Sequence, residues 1–348
     1  MARDTIVIFR LGSLGDTVNC LPCFHQIVRA FPDARRILLT NIPVSSIAAP
    51  SESILRDGGF IHDVVRYAVG ERDLRALAAL RRALKALNAD TLIYLTEGRS
   101  LWSNWRDWMF FRLCGFKRLM GVPLRPDLAH GRRDRRTGEV EREVERLARC
   151  LAPLGPLDLQ DKANWDLNLT GKEKAAGDVA LEPLGGAPFI AINTGGKVKT
   201  KDWGEANWTA LLTKVSQALP GHGLVFIGAA EDSERAGRLA GAWSGPTLDQ
   251  CGRLSPRGSG AVMRRGALFI GHDSGPLHLA ASCGLPCVAV FGDHNVPKKW
   301  HPLGERHRIL HDMRGVMAIS PDQAFEAVRD ALALPAGPNP PAPAPAAP

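Results

Sequence analysis

A strand that stops at Gly271-His272-Asp273-Ser274-Gly275-Pro276-Leu277-His278 and reopens as a helix is the feature that most narrows what this chain can fold into. Upstream, Ala267-Leu268-Phe269-Ile270 reads as a buried strand; downstream, Leu279-Ala280-Ala281-Ser282 continues a helix that ends near Gly284. A strand–turn–helix unit of this kind leaves unpaired backbone N–H groups at the helix start, where they attract an anion. Ser274 suits the N-cap, and Pro276 suits a first turn because it has no N–H to lose. In an α/β protein the anion this predicts is a diphosphate.

A second such unit opens the chain. Thr5-Ile6-Val7-Ile8-Phe9 is a β-rich run, followed by Arg10-Leu11-Gly12-Ser13-Leu14-Gly15-Asp16 and a helical pattern through Arg29. The two units lie roughly 260 residues apart, which suggests two nucleotide-binding-like halves facing across a cleft. Gly12 and Gly15 lack the third glycine of the dinucleotide fingerprint, and no Gly-Lys-Ser/Thr follows as in a Walker loop.

A chain of 348 residues has room for two domains, and its 45% apolar content is ordinary for a globular enzyme. The first apolar stretch is interrupted by Arg10 and Asp16 and lacks a cleavage pattern, so no signal peptide is expected. No apolar run reaches the ~18 residues of a membrane span, and the expected location is the cytoplasm. Seven cysteines, an odd number, argue against a disulfide framework. Cys20 and Cys23 have CxxC spacing but sit in an apolar helix with no second pair, so buried thiols are expected there and at Cys283 and Cys287.

The net charge of +8 favours anionic partners. Part of it is local: Arg132, Arg133, Arg135 and Arg136 crowd one loop, preceded by Lys117, Arg118 and Arg125. No nucleic-acid-binding signature accompanies them, so a nucleic-acid partner is not expected. An anionic membrane surface or a phosphorylated acceptor fits the loop better, and a plain solvated loop fits it equally well. Nearby, Trp102, Trp105 and Trp108 recur every three residues, and Trp105 with Met109 adds an i,i+4 pair, within a run ending at Phe111. Core packing accounts for such a stripe; the alternative is a face that dips into lipid near the basic loop.

Strands and helices alternate on both sides of an irregular stretch, Gly155–Leu169. Before it, strands are expected at Ile37–Thr40, Asp63–Tyr67, Thr91–Leu95 and Arg118–Gly121, and helices at Leu21–Ala30, Glu71–Leu87 and Glu139–Leu154. After it, strands are expected at Phe189–Asn193, Leu224–Gly228, Leu268–Gly271 and Cys287–Phe291. Helices there are expected at Trp208–Ala218, Glu231–Ala242, Pro276–Cys283 and Pro321–Leu334. This alternation means doubly wound parallel sheets. The expected domains are 1–165 and 166–334, followed by a disordered Pro/Ala tail at 335–348.

Several residues fall where α/β sheets place chemistry. Asp16, at the carboxyl end of the first strand, suits a helix cap, and equally a base taking a proton from a hydroxyl. The stretch Asn193-Thr194-Gly195-Gly196-Lys197-Val198-Lys199-Thr200-Lys201 joins a Gly-rich turn to three lysines, a combination suited to phosphate. Glu231, Asp232 and Glu234 begin a helix, where a carboxylate either caps the helix or binds ribose hydroxyls. His278 lies one turn into the Ser274 helix. No Asp-x-Asp pair occurs, which argues against a metal-held diphosphate, and no Gly-x-Ser-x-Gly elbow occurs.

Taken in order, Arg10–Asp16 with Leu21-Pro22, then Lys201-Asp202-Trp203, then Asp273–Ala281, then Phe291-Gly292, resemble glycosyltransferase family 9. These are the ADP-heptose:lipopolysaccharide heptosyltransferases and their relatives, and the resemblance runs from about residue 5 to about residue 332. It implies a GT-B fold, with two Rossmann-like domains about a donor cleft, and inverting sugar transfer without a metal or other cofactor. By position it makes Asp16 the general base, within an acceptor-side turn formed by Gly12, Ser13 and Gly15. It places Thr194, Gly195, Gly196 and Lys201 on donor phosphate, and Asp232 or Glu234 on ribose. Asp273, Ser274, Gly275 and His278 complete the donor block. The loop before Lys201 leaves Lys197 and Lys199 as alternatives for the phosphate contact. The run Asp293-His294-Asn295-Val296-Pro297 departs from the family's usual Pro-Thr-Asp-Pro-like run, which leaves the donor open, with ADP-heptose the first choice. The expected acceptor is a lipopolysaccharide-type or lipid-linked glycan, with peripheral contact at the inner membrane. The alternatives are a non-catalytic sugar-nucleotide-binding protein and a nucleotide-sugar epimerase or hydrolase of the same fold.

Overall fold

A computed structural model describes residues 4–42, 49–68, 70–71, 73–196 and 198–334. The Pro/Ala tail at 335–348 and Lys197 lie outside them.

Two all-parallel sheets organise these residues. The first joins β1 (Thr5–Phe9), β2 (Arg35–Asn41), β3 (Asp63–Tyr67), β4 (Thr91–Tyr94) and β5 (Arg118–Met120) in the order β3-β2-β1-β4-β5. The second joins β6 (Phe189–Ile192), β7 (Gly223–Phe226), β8 (Thr247–Asp249), β9 (Leu268–His272), β10 (Cys287–Phe291) and β11 (Arg308–His311) in the order β11-β10-β9-β6-β7-β8. Strands covered by helices on both faces must be apolar on both, and β4, β6, β7, β9 and β10 are buried throughout. The chain order reverses between β1 and β4 in one sheet and between β6 and β9 in the other. A doubly wound sheet opens a crevice at such a switch point, beyond the carboxyl ends of the strands.

Local chemistry moved several expected boundaries. The helical pattern after the first glycine turn is two helices, Leu14–Val18 and Leu21–Ala30, broken at Asn19-Cys20 just before Pro22. The helix expected from Glu71 starts at Leu74, because Asp73 caps it by accepting from the N–H groups of Arg75 and Ala76. The helix expected from Glu139 starts at Glu143, because Arg133 and Val140 pair across a turn that Asp134 closes. All the cysteines are free; Cys20 and Cys23 are buried, and burial pushes the Cys20 thiol up to about 11.

Two sets of contacts tie the halves together. Arg257, on the helix Pro256–Met263, is buried and donates to the carbonyls of Ile54, Leu167 and Asn168 while pairing with Glu173. On the cleft side, Lys299 Nζ reaches Glu97 Oε1 at 2.7 Å, and the Lys299 carbonyl accepts from Glu143 N–H. No helix among the described residues is long and apolar enough to cross a membrane.

Candidate active site between the two sheets

The loop after β1 is built around one carboxylate. Ser13 N–H donates to Asp16 Oδ2 at 2.7 Å, and the buried Arg10 donates to the Asp16 carbonyl and to the Leu95 carbonyl. Gly12 has φ +121°, and a Cβ there would lie 2.6 Å from the Asp16 side chain, so only glycine lets the loop wrap this closely. Asp16 therefore caps its own helix with one oxygen and still lines a cleft of about 370 Å³. That cleft is also lined by Ser13, Gly15, Glu97, Lys201, Asp273, Ser274, Gly275 and His278.

The opposite wall is the turn after β9. Ser274 holds the N-cap position of the helix Gly275–Ser282, yet its hydroxyl does not cap it; Oγ donates to Asn193 Oδ1 at 2.9 Å instead. The expected serine cap is replaced by a cross-strand tie, and the helix N-terminus is left without a side-chain cap. Asn193 is aimed by its own bonds, since Nδ2 donates to the Ile227 carbonyl and its N–H to that of Ile270. Lys201 Nζ pairs with Asp273 Oδ2 at 2.6 Å, and Asn295 Nδ2 donates to the same oxygen. An ammonium held this way is a fixed positive charge beside an uncapped helix start, a combination that favours a phosphate group. Glycines let the two walls meet: a Cβ on Gly15 would lie 3.1 Å from the His278 ring and 3.2 Å from Gly275 Cα. His278 is buried, and burial lowers its pKa, so near neutral pH it is an imidazole and Lys201 supplies the formal charge.

Beyond the cleft, Thr194, Gly195 and Asp232 form one packed cluster. The Thr194 carbonyl accepts from Arg235, which also pairs with Asp202. Asp232 Oδ2 accepts from Ala229 N–H, and burial raises the carboxyl above its ordinary range. A Cβ on Gly195 would lie 1.7 Å from Asp232 Oδ1, and one on Gly196 3.0 Å from the buried ring of His272.

Of the two candidate ribose carboxylates, the structure brings only Asp232 into this cluster. Glu234 is exposed and pairs with Arg238, because the helix starts at Ser233 and turns it away from the cleft. Lys199 is likewise exposed, whereas Lys201, two residues on in the same short 3-10 turn, faces the cleft. Glu97 and Trp300 line the cleft and were not singled out in the sequence, whereas His294 and Asn295, which also line it, belong to the 293–297 run that the family resemblance marked as bearing on the donor. Glu97 follows β4 as Asp16 follows β1, so its position at the switch point was the available signal.

The close approach of Gly195 to Asp232 gives a direct expectation. Gly195→Ala should weaken nucleotide binding at least about tenfold, because the new methyl must displace the carboxylate or the loop. Glu234→Ala should leave binding within about a factor of two. Calorimetric titration of both variants checks the pair.

Two parallel-sheet domains meeting at their switch points, with one cleft lined from both between them, define a GT-B fold. The family model described as glycosyltransferase family 9 (heptosyltransferase) matches residues 115–320. The chain belongs to this family. Lipopolysaccharide heptosyltransferase 1 of Pseudomonas aeruginosa is 33% identical over 110 residues, which are 32% of this chain and 30% of that protein, so the match spans under a third of the relative's length. Among solved structures, a glycosyl transferase family 9 protein from Veillonella parvula superposes with TM-score 0.71 at 19% identity, covering 96% of this chain and 99% of that one. E. coli ADP-heptose lps heptosyltransferase II gives TM-score 0.65 at 16% identity, covering 94% and 98%. E. coli heptosyltransferase WaaC with ADP-2-deoxy-2-fluoro heptose gives 0.62 at 19% identity, covering 94% and 99%. At these identities the likeness shows the fold.

Proposed function

We propose that this chain is an inverting, metal-independent heptosyltransferase that moves heptose from ADP-heptose to a lipopolysaccharide-type or lipid-linked glycan at the cytoplasmic face of the inner membrane. The observation that carries the reading is that one cleft is lined by a carboxylate from the first sheet's switch point and, from the second's, by a helix start without a side-chain cap beside the Lys201–Asp273 ion pair. Of the relatives named above, the Pseudomonas protein and E. coli heptosyltransferase II are described as lipopolysaccharide heptosyltransferases, and WaaC as a heptosyltransferase with ADP-2-deoxy-2-fluoro heptose.

In the proposed reaction Asp16 takes the proton of the acceptor hydroxyl as its oxygen attacks the anomeric carbon. The carbon–oxygen bond to the diphosphate breaks on the opposite face, and ADP leaves toward Lys201 and the Gly275 helix start. Charge grows on the leaving oxygens, so donors fixed in advance lower the barrier without reorganising. Lys201 exchanges part of its contact with Asp273 for the diphosphate, while Asn295 keeps Asp273 oriented. Asp232 holds the ribose side of the donor.

Incubation with ADP-heptose and a heptose-free lipopolysaccharide core, in EDTA, should add one heptose of inverted anomeric configuration, read by mass spectrometry and NMR. Free heptose or an isomerised nucleotide sugar without glycan product would instead assign a hydrolase or epimerase.

A further inference from the structure

The helix Leu101–Leu113 is built inside out. Its buried positions are Asn104, Asp107 and Phe111, so two of the three residues turned toward the protein are polar. They are held there: Tyr94 Oη donates to Asp107 Oδ2 at 2.9 Å, Arg99 pairs with the same carboxylate, and Asn104 Nδ2 donates to the Pro123 carbonyl. The opposite face carries Trp102, Trp105, Met109 and Leu113, which are 77%, 48%, 52% and 61% exposed. Their spacing of three and four residues puts them on one stripe. An ordinary surface helix places its apolar stripe inward. Core packing, the simplest account of this Trp run, therefore does not explain Trp102 and Trp105.

The surroundings are cationic. The neighbouring helix Leu74–Ala86 is joined to this one by Arg81 Nε donating to the Leu113 carbonyl, and it exposes Leu74 at its start. Residues 74–118 hold nine Lys or Arg against three acids: Asp107, already paired inward, Asp90, paired with Lys117, and Glu97, paired with Lys299 on the cleft side. Arg112 lies over the Trp108 ring at 5.8 Å, and Trp108 packs edge-on against Trp105 at 5.3 Å, which braces the aromatic stripe.

We propose that this face docks the first domain onto an anionic lipid surface, with the Trp rings at headgroup depth and the Arg/Lys rim on lipid phosphates. Tryptophan favours the membrane–water interface, and clustered Lys and Arg bind anionic leaflets. The same charge disfavours a second copy of the chain, because a two-fold contact would set the cationic rim against itself. The inference rests on the helix and its rim and is independent of the donor chemistry.

Co-sedimentation with phosphatidylcholine vesicles, with and without phosphatidylglycerol, tests it. Binding to the anionic vesicles should be at least about tenfold stronger, should fall with added salt, and should shift tryptophan emission to the blue. The double variant Trp102→Ser with Trp105→Ser should lose at least about tenfold of this binding. Both positions are exposed, so its melting temperature and nucleotide binding should be unchanged. Arg81→Glu with Arg82→Glu should weaken vesicle binding in the same direction. A wild-type chain that stays in the supernatant with anionic vesicles overturns the proposal, as does a Trp variant that binds like wild type. A solution dimer that the Trp variant dissolves also overturns it, by assigning the face to a second copy. Vesicle binding is read without turnover, so its failure leaves the transferase reading standing, and loss of nucleotide binding leaves the docking face standing.

Discussion

Asp16→Asn should lower turnover at least about a hundredfold while leaving donor affinity within about a factor of two. The substitution keeps size and shape, and an amide oxygen can still accept from Ser13 N–H, so the loop that wraps Asp16 stays closed. The amide cannot take the acceptor's proton, and that is the step assigned to this side chain. Donor affinity should survive because the groups assigned to the donor diphosphate lie on the opposite wall, around Lys201 and the Gly275 helix start. Single-turnover kinetics with a matched binding titration separate the two effects. Near-normal turnover in this variant removes Asp16 from the mechanism.

The largest expected loss of stability comes from Arg257→Ala. Its guanidinium reaches Glu173 at 2.5 and 2.8 Å and three backbone carbonyls at 2.7 to 3.0 Å, all from a buried position. Removing one partner of a buried pair costs ~3–5 kcal/mol, because Glu173 Oε1 and the three carbonyls lose the donors Arg257 supplies, while Glu173 Oε2 keeps only Thr170. A drop in melting temperature of about 10 °C by calorimetry is the expected reading. Arg257→Lys should recover little, since one ammonium cannot span the five contacts. The pH dependence follows from Glu173, which Arg257 holds down to about 2 from an ordinary 4.5. Because the folded value is depressed, its stabilising contribution is complete above pH 4.5 and is lost as pH falls toward 2. In Arg257→Ala the share of this acid sensitivity that comes from the ion pair should disappear, leaving the share held by the Thr170 N–H and hydroxyl.

Much of this architecture can be read from residues alone, and particular elements show why the rest cannot. β1, β3 and β10 have the expected bounds because each is a compact β-rich run with a clear stop. β8 and β11 went unread because Thr247–Asp249 is three residues long and Arg308–His311 is a half-exposed edge with a charge at its start. The helix Gly171–Leu181 is polar and contains two glycines, so periodicity hides it, although Thr170 and Glu173 form a capping box that could have marked its start. Pro256–Met263 has two glycines in eight residues and depends on burial and the Ser255 cap.

In the site, Asp16, Lys201 and the 273–278 turn lie where their strand–turn–helix signals point. Glu97 and Trp300 come from loops whose convergence depends on strand order, which local pattern does not encode; Asn295 lies in the 293–297 run that the family resemblance had tied to the donor. Asp232 and Glu234 are two residues apart, and only the start of the helix at Ser233 turns one inward and the other to solvent.

The most direct test is calorimetric titration of the purified chain with ADP, GDP, UDP and TDP, with and without EDTA, alongside Lys201→Ala. The account predicts that ADP binds best, that EDTA changes nothing, and that Lys201→Ala weakens binding at least about tenfold. No binding by any of the four, or binding that EDTA abolishes, would contradict it.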